Sequence, residues 1–62
     1  MTITVTFRND ETTTVNVAGT GSAKSLAKWL DEVRITGVYV TTATTVTWYP
    51  FIEIEKAVGS IG

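Results

Sequence analysis

The chain has neither histidine nor cysteine. The usual general base, the thiolate nucleophile and the common zinc ligands are therefore missing, and any chemistry must come from carboxylates and hydroxyls. Glu53 and Glu55 stand two residues apart. On a strand they would share a face about 6.6 Å apart, close to the spacing of the paired acids in glycoside hydrolysis. A chain of 62 residues has little concavity with which to hold a sugar, and two glutamates on a solvated face account for the spacing without a substrate. Asp10-Glu11 and Asp31-Glu32 fall at predicted element ends, where water is a sufficient partner. No catalytic residue, metal site or cofactor is assigned, and the chain reads as a non-enzyme.

The hydroxyls and one lysine form a more specific pattern. In Ala18-Gly19-Thr20-Gly21-Ser22-Ala23-Lys24-Ser25 two glycines precede a Lys-Ser pair, between a predicted strand and a predicted helix. The segment resembles the phosphate-binding loop of P-loop nucleotidases, with Lys24 and Ser25 in the places of the closing lysine and hydroxyl. The resemblance covers eight residues. Ala23 stands where the motif has its last glycine, and the chain has no room for the parallel sheet and distal Mg²⁺-binding aspartate used in phosphoryl transfer. The resemblance thus implies anion or nucleotide binding at most, through Gly19, Gly21, Ser22, Lys24 and Ser25 at a helix start. A plain glycine loop ending in a serine N-cap explains the same residues.

The elements that would position these groups are mostly strands. Thirteen residues are threonine, a β-branched type suited to a pleated, half-wet surface. Ile3, Val5 and Phe7 alternate with Thr2, Thr4, Thr6 and Arg8, giving a strand with one inner and one outer face. Val15 and Val17 continue the apolar set. A two-residue turn at Asn9-Asp10 would put them opposite threonines on the wrong face. The parity instead predicts a three-residue loop at 9–11, with Val5 facing Val15 and Ile3 facing Val17. Ser22 should cap a helix over 23–33, whose stripe is Ala23, Leu26, Trp29, Leu30 and Val33. A second hairpin is expected over 35–41 and 45–49, with Val38 opposite Trp48 and an odd loop centred on Ala43. After Pro50, residues 50–58 read either as a short fifth strand or as a short helix, the strand being preferred, and residues 59–62 as a loose tail.

The expected fold class is α+β: a small antiparallel sheet of ββαββ order with a short fifth strand and one amphipathic helix on one face, in a single domain over 1–62. In that register both faces of the second hairpin are apolar, and one helix can cover only one of them. The other face would carry Ile35, Tyr39, Tyr49 and Phe51. Either the C-terminal segment folds back over these residues or they form a protein interface; the interface reading is adopted.

Charge gives little direction, with five basic against six acidic residues, scattered along the chain. Aromatic stacking on single-stranded nucleic acid is an alternative, but the basic groove that accompanies such stacking is missing, so nucleic acid is not the expected partner. No span long enough for a membrane and no secretory leader is found, which gives cytoplasmic residence as the expectation. A chain of this mass exposes about 3,900 Å² when folded and buries only about 60% of its surface, and chains this small often gain stability by oligomerising. The expected role is a non-enzymatic interaction module binding itself or another protein. A chain this short without catalytic chemistry would suit an accessory protein of a phage or other mobile element.

Overall fold

The computed structural model describes residues 1–19 and 21–61. It is a small α+β fold in the order β1 (Thr2–Phe7), β2 (Thr12–Asn16), α1 (Ala23–Thr36), β3 (Val38–Thr41), β4 (Val46–Tyr49), a 3₁₀ turn (Phe51–Glu53) and β5 (Ile54–Gly59). The strands form two antiparallel sheets, one ordered β2-β1-β5 and the other a β3-β4 hairpin. Thr20 of the glycine loop and Gly62 of the expected tail lie outside the described residues.

Strand β1 is the centre of the larger sheet because its alternation is the cleanest in the chain. Ile3, Val5 and Phe7 are all but fully buried, while Thr2 and Thr4 face water. Trp29 and Val33 from α1 and Val38 from β3 complete the buried core, with Leu26, Leu30, Val40 and Tyr49 packed partly against it. Helix and second hairpin thus meet the same face of β1.

The first hairpin has the predicted parity and loop length but lies two residues out of the expected register. Ile3 faces Val15 and Val5 faces Thr13. The three connecting residues are Arg8–Asp10, one place earlier than expected. Asp10 N–H donates to the Phe7 carbonyl at 3.0 Å, and Phe7 N–H donates to that of Glu11 at 2.9 Å. Asp10 takes φ 69°, which its short polar side chain tolerates better than most. Asn9 Oδ1 accepts from Glu11 N–H at 3.0 Å. This local bond closes the turn early and brings Met1 opposite Val17, whose N–H donates to the Met1 carbonyl at 2.8 Å.

Helix α1 begins where predicted. Ser22 Oγ accepts from Ser25 N–H at 3.2 Å. The helix runs to Thr36, three residues further than its apolar stripe suggested, and stops at Gly37, which has φ 73° and donates to the Val33 carbonyl at 2.7 Å. The extension places Arg34 in the last turn, paired with Asp31, so the C-terminal end carries a favourable cation. It also moves Ile35 from the expected strand onto the helix, where it is 87% exposed.

The C-terminal segment combines both of its expected forms. Pro50 precedes one 3₁₀ turn, and β5 then pairs with β1. A bulge opposite Thr6-Phe7 lets Ile54 pair with Phe7 and Ala57 with Val5, so both partly bury on the core side although three residues apart. Glu53 belongs to the turn and Glu55 to the bulge, so the two do not form a strand-face acid pair. The tail does not come loose at Gly59. That residue pairs with Ile3, and Ser60 N–H donates to the Thr2 carbonyl at 3.1 Å. No helix among the described residues is long and apolar enough to cross a membrane.

Candidate functional site

The second hairpin closes differently from expectation, and the change decides which side chains are presented. Thr42 N–H donates to the Thr45 carbonyl at 2.8 Å, leaving only Ala43 and Thr44 in the loop. The loop is therefore even, not odd, and Val38 pairs with Tyr49, Tyr39 with Trp48, Val40 with Thr47 and Thr41 with Val46. The cause is the Thr42 hydroxyl, which accepts from the N–H groups of Thr45 at 3.0 Å and Thr44 at 3.3 Å. It also lies 2.7 Å from the Thr45 hydroxyl. One side chain satisfies the amides of the turn and makes the tight loop stable without glycine or asparagine.

This register exchanges Trp48 and Tyr49 relative to the sequence-based expectation. Tyr49 turns inward, so its assignment to the outer interface is incorrect. Its ring stacks on Phe7 with centroids 3.8 Å apart and planes 10° apart, and its hydroxyl accepts from Asn9 Nδ2 at 3.2 Å. The tyrosine thereby ties the second hairpin to β1 and to the first loop.

The outward face carries Tyr39, Thr41, Val46 and Trp48. Tyr39 is 66%, Val46 65% and Trp48 53% exposed. Tyr39 and Trp48 are directly opposed. They occupy a non-hydrogen-bonded site of the ladder, counted from the Thr42–Thr45 bond, where opposed side chains stand closest.

Trp48 is also held in place. Its indole N–H donates to the Thr36 carbonyl at 2.9 Å, one of the acceptors left open at the end of α1. The ring crosses Gly37 so closely that a Cβ there would lie 2.4 Å from Nε1 and 2.7 Å from the Tyr49 carbonyl oxygen. Gly37 therefore ends the helix and admits the tryptophan. None of the five basic and six acidic residues falls between 38 and 49, so the two strands carry no charged side chain.

Two other expected interface residues sit on different elements. Phe51, 38% exposed, is in the 3₁₀ turn beside α1. That turn is held by Arg8, whose Nε donates to the Ile52 carbonyl at 2.7 Å. Ile35 is on the helix, two positions before Gly37. Of the four residues, only Tyr39 lies on the outer hairpin face. Trp48 and Val46 belong beside it and were missed. Their signal was the Thr42-x-x-Thr45 spacing, in which a hydroxyl caps its own turn.

The glycine loop is organised around the helix cap. Gly19 has φ 109°, and its carbonyl accepts from the Met1 ammonium at 3.2 Å, as does that of Val17 at 2.8 Å. The Ser22 and Ser25 hydroxyls lie 3.1 Å apart, and the Ser25 amide is already engaged by Ser22. Gly21 leads into this cap and Lys24 is exposed in the first turn. Among the described residues no group of three or more acidic side chains is arranged to hold a metal.

No protein-family model matches the chain, and neither a curated protein nor a solved structure shows significant similarity to it.

Proposed function

We propose that the chain is a non-enzymatic interaction module that binds a protein surface through the outer face of β3 and β4. The observation that carries this reading is Trp48, exposed yet fixed by its indole bond to the end of α1, with Tyr39 opposed to it and Val46 on the same face. A tryptophan already held in one geometry loses little freedom when covered, and such residues commonly dominate binding energy. The accessible surface, 4439 Å², is also about 500 Å² above what a monomer of this mass usually exposes.

The test uses Tyr39→Ser with Val46→Ser, which strips the face and leaves the tethered Trp48 in place. The immobilised chain and this double variant are compared for protein retained from the source cells, with and without a single-stranded oligonucleotide as competitor. The expected result is discrete retention by the natural chain, lost in a variant of unchanged helical circular dichroism and unaffected by the oligonucleotide. Equal retention by both chains, or no retention by either, overturns the reading. Competition that weakens with salt would favour nucleic-acid stacking instead.

A further inference from the structure

We infer that two copies of this chain pair through β2, antiparallel about a two-fold axis at Thr14, joining their three-stranded sheets into one of six strands. This inference is independent of the aromatic face. The order β2-β1-β5 leaves β2 and β5 as edges. An open edge is a row of unpaired N–H and C=O groups, and proteins commonly blunt it with charge, bulges or proline. Edge β5 is blunted by the bulge at Glu55 and by Lys56. Edge β2 reads Thr-Thr-Thr-Val-Asn, with no charge, no proline and no bulge.

The hydrogen-bond phase shows what this edge offers. Phe7 N–H reaches the Glu11 carbonyl and Val17 N–H reaches that of Met1. Odd-numbered positions of the second strand therefore turn their main-chain groups toward β1. By antiparallel alternation Thr12, Thr14 and Asn16 turn theirs outward. Among the described residues no backbone hydrogen bond from another element takes them up.

A second copy fits because the edge is self-complementary. With Thr14 on the axis, Thr12 meets Asn16 of the second copy and Thr13 meets its Val15. Core-side residues then meet core-side residues, and the half-buried Thr13 and Val15 gain cover. Just past the end of this strand, a cleft of about 440 Å³ separates Val17, Ala18 and Gly19 from Ser25, Lys28, Trp29 and Glu32 of α1.

The test exploits the outward N–H of Thr14 and the chain's lack of cysteine. Light scattering of the full chain should approach twice its 6.7 kDa mass as concentration rises. Thr14→Pro removes no bond within the chain and should return the mass to that of one copy with unchanged circular dichroism. Under mild oxidation Thr14→Cys should cross-link at least about tenfold faster than Thr12→Cys. Residues opposed at the axis lie about 5.5 Å apart, whereas Thr12 and its copy stand more than roughly 13 Å apart. If the proline variant fails to fold, the cysteine pair decides alone. A natural chain of single mass at every concentration, a folded proline variant that still pairs, or equal cross-linking of the two cysteines overturns the inference.

Discussion

In the first hairpin β1 reads Thr-Ile-Thr-Val-Thr-Phe, polar and apolar in strict alternation. In the second, Val38-Tyr39-Val40 and Val46-Thr47-Trp48-Tyr49 place apolar groups on both faces. The first can slip by two residues without harm, as it does relative to the simplest reading, but not by one, because Val15 would then turn to water and Thr12, Thr14 and Asn16 toward the core. The second has no such protection. Its parity is decided within the turn by one threonine hydroxyl, and the outcome settles whether Trp48 or Tyr49 is buried. Alternation thus protects a register at long range. Where both faces are apolar, local turn chemistry takes over.

The comparison can be broken most severely at its shared contact. Phe7 is fully buried, belongs to β1 and stacks on Tyr49 of β4. Phe7→Ala should cost about 3–5 kcal/mol, enough to unfold a small domain of ordinary stability. Urea melts read by circular dichroism check this, and a loss below about 1 kcal/mol would mean the two hairpins are not coupled through that ring.

Next in size is Gly37→Ala. The added methyl meets the indole and a backbone carbonyl within 3 Å, at a positive φ. A loss of about 3 kcal/mol is expected, together with a red shift of Trp48 emission as the indole leaves the Thr36 carbonyl. Full stability in this variant would show that Trp48 does not lie over the helix end.

A smaller effect separates the two hairpins directly. Thr42→Ala removes the hydroxyl that caps its own turn and should cost about 1 kcal/mol. The diagnostic readout is the Hα–Hα nuclear Overhauser effect between Tyr39 and Trp48, which should weaken while that between Thr4 and Thr14 persists. Equal loss of both would indicate a single cooperative sheet.

The smallest change has the opposite sign. Asp10 holds a left-handed conformation in the first loop. Asp10→Gly should raise stability by about 0.5 kcal/mol in thermal melts without altering the first register.

Much of the fold is readable from local pattern. The strand at Thr2–Phe7, the Ser22 cap and the stripe through Leu26, Trp29, Leu30 and Val33 follow from periodicity and capping chemistry, and the structure has them. The exception in the stripe is Ala23, which is exposed. The end of the helix was harder to read, because Arg34-Ile35-Thr36 suits a helix or a strand equally and Gly37 is what stops it. The candidate site was only half readable. Tyr39 stands on the outer face as expected, whereas Tyr49 stands on the inner one because a loop of two residues replaced a loop of three.

What the amino-acid sequence determined by itself was therefore composition and period: an α+β chain, a threonine-faced first hairpin, one amphipathic helix and no histidine or cysteine chemistry. Period constrains a segment when one face must be dry and the other wet, since water enforces the difference at every second residue. Only the tertiary structure decided that β5 would join β1, that the second hairpin would form a sheet of its own, and that Trp48 would reach the end of α1 across Gly37. Those outcomes rest on contacts between residues far apart in the chain, on a ring that needs a glycine beneath it and a tyrosine that needs Phe7 beside it. No local preference specifies such contacts, because their stabilisation exists only once both partners are in place.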